Sequence, residues 1–373
     1  MSTTGLFQST DEAAKGLCAL YRTCGYKHFK MSKFEEYDFY AKNKSFLVSS
    51  HVIAFTDLNG KLMALKPDVT LSIVKNATYG KGSAEKVYYT EKVYRAEKGG
   101  HEFREITQTG LECVGDLGLY DTAEVVTLAV KSLQKLSDDY ILDLSHMSFV
   151  TALLSDIGVG DDDRERLLTA VSEKNAPEIG LICDSLSVPT DKRDRLISLA
   201  KLYGSAEEKL AELKALSTGA ETDAAIEELD CLYSILKNEG LARGVNLDFS
   251  IVNDMNYYNG IIFRGYIKGI PQGILAGGRY DNLLEKMGRR ANALGFAIYL
   301  DLLEQLHPAD RTVDADVLIT YEKNVPVETI IEACKEYTGK GLSVRVQKID
   351  DGSVSAHQKI RLTERDGAKN GNA

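Results

Sequence analysis

No apolar run in this 373-residue chain approaches the roughly 20 residues that span a bilayer, and the N-terminal stretch MSTTGLFQSTDEAAKG lacks a basic segment followed by an apolar one. Neither membrane insertion nor export is expected, and the chain reads as cytoplasmic. Paired metal ligands are also missing. The six cysteines, Cys18, Cys24, Cys113, Cys183, Cys231 and Cys334, form no CxxC pair, and the six histidines form no HxxxH. Structural zinc usually takes ligands paired at short spacing, so reduced, mostly buried thiols are expected, with no metal and no cofactor. An excess of basic charge is absent as well, with 45 Lys and Arg against 55 Asp and Glu and a net charge of −10. Phosphate backbones are gripped by clustered cations, so this balance argues against nucleic acid, although a local patch can hide in an acidic chain. What remains is ordinary for a globular protein: 44% hydrophobic and 27% charged residues, and enough length for two to three domains.

Residues 9–23 open with Ser9 or Thr10 ahead of Asp11 and Glu12, then place Leu17, Leu20 and Tyr21 at helical spacing. The aromatic stretch from Tyr26 to Phe46 suits strands and their connections. Asp57-Leu58-Asn59-Gly60, between Val52–Thr56 and Leu62–Leu65, signals a hairpin. A helix is expected over Val69–Asn76, strands over Lys86–Arg95 and Glu105–Val114, an amphipathic helix over Asp121–Leu136 and a strand over Tyr140–Ser145.

Residues 147–240 are rich in Ala, Leu, Glu, Lys and Asp with apolar spacing near 3.6, which reads as a helical insertion. Strands resume at Asn246–Ile251, Gly260–Ile267 and Gly273–Ala276, and Ala293–Gln305 is expected as a final amphipathic helix. The order implies an α+β protein, an antiparallel sheet flanked by helices. Its core comprises 1–146 and 241–310, split by the insertion. Residues 311–373 form a small C-terminal α/β module around one βαβ unit, with a polar tail from Asp351 that contributes at most a short strand.

Two distant regions carry residues suited to one ligand pocket. The first holds Lys66-Pro67-Asp68-Val69-Thr70, Arg95-Ala96-Glu97 and Gln108-Thr109-Gly110-Leu111-Glu112; the second holds Asn256-Tyr257-Tyr258-Asn259 and Gly277-Gly278-Arg279-Tyr280-Asp281. Asp68, Thr70 and Gln108 offer acceptors to an ammonium group, Glu112 can face one imidazole nitrogen and Tyr258 the other, and Tyr257 and Tyr280 can wall the site. Such matched groups are what an ionised amino acid needs, because an unpaired desolvated charge is costly. Singly, each has a plainer reading. Asp68 can cap the next helix, Glu112 can be an edge charge, and a Tyr-Tyr pair is commonly core and rim. The ordered set outweighs its members.

In that order the segments, with LGFAIYLDLL near residue 300, resemble the core of the histidyl-tRNA synthetases over about 300 residues. The resemblance implies a class II aminoacyl-tRNA synthetase-like fold and assigns Asp68, Thr70, Gln108, Glu112, Tyr257, Tyr258 and Tyr280 to histidine recognition. Arg95, in the YRAE segment, is retained and suits a carboxylate or phosphate. The departures fall on the chemistry of adenylation. Leu302 and Asn253 stand where the synthetases carry arginines, Tyr299 stands where they usually have glycine, and Ser32 replaces the first-motif proline of the dimer interface. The C-terminal module is also short for an anticodon-binding domain.

A pocket stripped of catalysis is similar to the family of ATP phosphoribosyltransferase regulatory subunits. That resemblance implies a non-catalytic, histidine-sensing homodimer that activates a short-form catalytic subunit in a hetero-octamer, at the first step of histidine biosynthesis, with L-histidine as ligand and neither membrane nor tRNA as partner. A histidine–tRNA ligase and a tRNA-sensing synthetase-like domain are the competing readings. Histidine-dependent ATP–pyrophosphate exchange and binding of deacylated tRNA would distinguish them.

Overall fold

The computed structural model describes residues 10–47, 51–96, 102–252, 257–306 and 313–364. The chain divides into two compact units, 1–306 and 307–373.

The first unit begins with α1 (Thr10–Thr23), β1 (Lys27–His28), β2 (Phe34–Glu36) and α2 (Tyr37–Lys42). It continues through the hairpin of β3 (Ala54–Thr56) and β4 (Leu62–Leu65), then α3 (Thr70–Asn76). Two long strands follow, β5 (Ala84–Ala96) and β6 (Phe103–Gly115), then α4 (Leu119–Leu136) and β7 (Tyr140–His146). The helical stretch holds α5 (Met147–Ile157), α6 (Asp161–Ser172), α7 (Ala176–Ser185), α8 (Thr190–Lys201), the strand β8 (Tyr203–Ser205), α9 (Ala206–Lys214) and α10 (Ala220–Asn238). The remaining elements are β9 (Val245–Asp248), β10 (Ile261–Ile267), β11 (Leu275–Arg279), α11 (Asp281–Lys286) and β12 (Asn292–Tyr299).

One nine-stranded sheet orders these strands β1-β5-β6-β12-β11-β10-β7-β9-β8, antiparallel throughout β5-β6-β12-β11-β10-β7. The molecule is therefore α+β, with helices packed on a large antiparallel sheet. α4 is the main support of one face. Its apolar side buries Val125, Leu128, Ala129 and Leu133, which join Leu111, Leu144, Phe263, Phe296 and Ile298 in one core. Each fully buried Val, Leu or Phe side chain contributes about 2 kcal/mol. The opposite face is covered at one end by α3, the β2-β4-β3 sheet and α11, through Val69, Ile73, Val87, Tyr89, Val114 and Leu283.

Two expectations are corrected here. The segment Asn292–Tyr299 is not the start of a helix but a central strand, and only Leu300–Gln305 coils, as a short 3-10 turn. Ala293, Gly295, Ala297 and Tyr299 face one side and Leu294, Phe296 and Ile298 the other, so apolar residues on both faces hid the period of two. The aromatic stretch contains a helix as well, since Tyr37–Lys42 turns to bury Tyr40 beneath β4.

The second unit builds a three-stranded parallel sheet, β14-β13-β15, from β13 (Ala315–Tyr321), α12 (Val327–Thr338), β14 (Val344–Gln347) and β15 (Ala356–Leu362). β15 gives the polar segment after Asp351 a seven-residue strand. Among the described residues, no helix is long and apolar enough to cross a membrane.

Candidate functional site

The site grows from alternation across four strands. Opposite residues in register share a face, so Glu112 on β6 is level with Gly295 on β12 and Gly278 on β11. In the next row Gly110 is level with Ala297 and Ala276, and beyond it Gln108 pairs with Tyr299. The centre of this face therefore carries nothing larger than a methyl group, and polar or aromatic side chains stand around it.

These small residues are required by what lies over them. A Cβ on Gly295 would sit 1.8 Å from the Glu112 carboxylate, and one on Gly278 would sit 2.8 Å from the Tyr258 ring. Glu112 and Tyr258 thus lie over neighbouring glycines on adjacent strands. Gly277 points the other way, into the core, where a Cβ would meet Phe296 at 2.4 Å and Phe263 at 2.7 Å.

Glu112 is buried to 2% exposure and held by two hydroxyls. Thr70, at the start of α3, donates to its Oε1 at 2.7 Å, and Tyr280 donates to its Oε2 in a close contact. Burial pushes the Glu112 carboxyl up from its ordinary value to about 8, opposed by the bonds from Tyr280 and Thr70. Thr70 also hydrogen-bonds Tyr257, whose ring packs 4.6 Å from Tyr258, 5.7 Å from Tyr280 and 5.9 Å from Phe46 between centroids. Burial raises the hydroxyls of Tyr257, Tyr258 and Tyr280, so all three stay neutral donors.

Asp68 and Arg95 are brought together beside this group. Asp68 Oδ1 accepts from the Leu71 N–H at 2.9 Å and caps α3, and its other oxygen lies 3.5 Å from an Arg95 Nη. Burial raises the Asp68 carboxyl, opposed by Arg95 and by the N–H groups of Leu71 and Thr70. The Arg95 Nε donates to the Pro67 carbonyl at 2.7 Å, and its guanidinium also hydrogen-bonds Tyr299. The guanidinium thus has a backbone, a carboxylate and a phenol partner. Gln108 lies buried at 2% exposure on the same face as Glu112, so all eight expected residues fall on or beside one surface of the sheet.

Of the expected departures, Leu302 packs against the main apolar core from its 3-10 turn. Tyr299 stands at the site as Arg95's partner. Asn253 lies outside the described residues, as do Asn256 and Glu97. Two further features of this face carry no motif signal, the Lys66–Glu91 pair and Arg264. Lys66, 2% exposed, forms a close ion pair with Glu91, which lies level with Gln108. Arg264 on β10 is level with Ala276, and the alternation of IIFRGYI carried that information. Among the described residues, no group of three or more His, Cys, Asp and Glu side chains is arranged to hold a metal ion.

The fold is that of the histidyl-tRNA synthetase class, and a family model described as histidyl-tRNA synthetase matches residues 7–303. An ATP phosphoribosyltransferase regulatory subunit from Caldanaerobacter subterraneus subsp. tengcongensis is 32% identical over 287 residues, 76% of this chain and 74% of that protein. The chain belongs to the histidyl-tRNA synthetase family and, within it, to the ATP phosphoribosyltransferase regulatory subunits. A solved structure described as an ATP phosphoribosyltransferase regulatory subunit/histidyl-tRNA synthetase from Bacillus halodurans is 25% identical, with a TM-score of 0.77 over 97% of this chain and 98% of that one. A chain of the ATP phosphoribosyl transferase (HisG:HisZ) complex from Thermotoga maritima shares the fold at 21% identity, with a TM-score of 0.63 over 79% of this chain and 98% of that one.

Proposed function

We propose that this chain is the histidine-sensing, non-catalytic regulatory subunit of ATP phosphoribosyltransferase, required by a short-form catalytic subunit in the first step of histidine biosynthesis. One observation carries the non-catalytic part. The Arg95 guanidinium is engaged by Pro67, Asp68 and Tyr299, so the cation that a synthetase would turn on a phosphate is held by the protein itself. Leu302, packed against the apolar core, supplies no cation. The relative found in a two-component complex supports a partner that supplies ATP and phosphoribosyl chemistry.

In this reading L-histidine lies on the small-residue floor, with its imidazole between Glu112 and Tyr258. Tyr257 and Tyr280 wall the ring, and Gln108, Thr70, Asp68 and Arg95 border the amino-acid end. The core works as a cytoplasmic homodimer within a hetero-octamer. The domain plan is a synthetase-like core of 1–146 and 241–310, a helical insertion of 147–240 and a small module of 311–373. Histidine shifts the complex only as far as its affinities for the active and inhibited assemblies differ.

Reconstitution tests the proposal. The purified chain, mixed with a short-form catalytic subunit, should co-elute with it and raise its turnover of ATP and phosphoribosyl pyrophosphate, and L-histidine should reverse the gain. Histidine-dependent ATP–pyrophosphate exchange by the chain alone would favour a synthetase instead.

A further inference from the structure

The site face holds a second guanidinium. Along β10, Ile261, Phe263, Gly265 and Ile267 face α4, and a Cβ on Gly265 would lie 2.8 Å from Leu133. Arg264 therefore faces the opposite side, the side of Glu112. It is level with Ala276, which is level with Ala297, which is level with Gly110. Three inter-strand steps of about 4.8 Å separate the strand of Arg264 from that of Gly110, with only two methyl groups between them. The Arg264 stem leans toward Gly273, where an added Cβ would come within 2.9 Å of it, and so toward the row of Gln108 and Tyr299.

Its partners set it apart from Arg95. Arg264 is half-buried and hydrogen-bonds Tyr266 on its own strand. Its positive charge acts on the Tyr258 hydroxyl on one side and on the Asp143 carboxyl, level with it on β7, on the other. A guanidinium has five donors in a planar fork that matches a carboxylate, and among the described residues one hydrogen bond, to Tyr266, engages it, which leaves most of the fork for a ligand.

We propose that Arg264 receives the carboxylate of the bound amino acid and so makes the pocket selective for a zwitterion over an imidazole amine. This rests on the reading of the site as a histidine pocket. A ligand whose ring lies between Glu112 and Tyr258 has its backbone over Ala297 and Ala276, and the floor then leads to Arg264 at the edge shared with Tyr299. The Asp143 carboxyl accepts from the Asn246 amide at 3.3 Å, and among the described residues no ion pair joins it to Arg264.

The test is calorimetry on the full-length chain with L-histidine and with L-histidinol, which keeps the imidazole and the amine but has an alcohol in place of the carboxylate. Wild type should bind L-histidine at least tenfold more tightly than L-histidinol. Arg264→Gln should lose at least tenfold for L-histidine and stay within about twofold for L-histidinol, and Arg264→Lys should recover part of the loss. Equal affinity of the wild type for the two ligands would overturn the proposal without recourse to any variant, as would an Arg264→Gln protein that keeps the wild-type ratio. A wild-type chain that binds neither ligand would overturn the histidine-pocket reading itself, and the role of Arg264 with it.

Discussion

Gly295 stands directly across from Glu112, and a single methyl group added to it would lie 1.8 Å from the carboxylate and 2.4 Å from the Leu111 carbonyl. Two strands thus meet at a point where one must have no side chain so that the other can fold its carboxylate back over the sheet. Gly295→Ala should therefore cost about 1–3 kcal/mol of stability, read as a lower urea midpoint, because backbone and carboxylate must both shift. It should also displace Glu112 and weaken L-histidine binding. A variant with wild-type stability and wild-type binding would contradict this placement of Glu112.

The Glu112 carboxyl titrates near 8 in the folded chain against an ordinary 4.5, chiefly through burial. Between those values the folded state holds a proton that the unfolded state has released. Stability is thus highest below about pH 4.5 for this group and falls as pH rises toward 8. Glu112→Gln has no such proton. Its urea midpoint relative to wild type should rise steadily from pH 5 to pH 8, and a difference that stays flat or runs the other way would refute the shift.

Lys66 is buried to 2% and paired with Glu91, just ahead of Asp68 and the start of α3 at Thr70. Removing one member of such a pair strands the other, so Lys66→Met should cost about 3 kcal/mol in chemical denaturation. Replacing both, as Lys66→Met with Glu91→Leu, should recover much of that loss. If the double variant is no more stable than Lys66→Met alone, the pair is not the cause.

The sequence made the fold legible where periodicity was one-sided. α4 spans Leu119–Leu136, close to the expected Asp121–Leu136, with Val125, Leu128, Ala129 and Leu133 at helical spacing in the core. β5 and β6 extend the expected Lys86–Arg95 and Glu105–Val114 by one or two residues at each end. Periodicity failed at Asn292–Tyr299, where both faces of a central strand are covered, and no stripe remained to separate strand from helix.

Within the site, the short motifs brought eight residues to one face, but they carried no information about partners. That Arg95 is held by Tyr299, or that Thr70 donates to Glu112, depends on packing between segments 42 to 204 positions apart. Arg264 went unnoticed because it lies in no motif, and only strand register sets it beside Ala276.

The most direct test of the account is titration of the purified chain with L-histidine in a calorimeter, alongside Glu112→Gln. The account predicts saturable binding of one histidine per chain, weakened at least tenfold in the variant while its fold persists. No heat of binding at millimolar histidine, or equal affinity in both proteins, would contradict it.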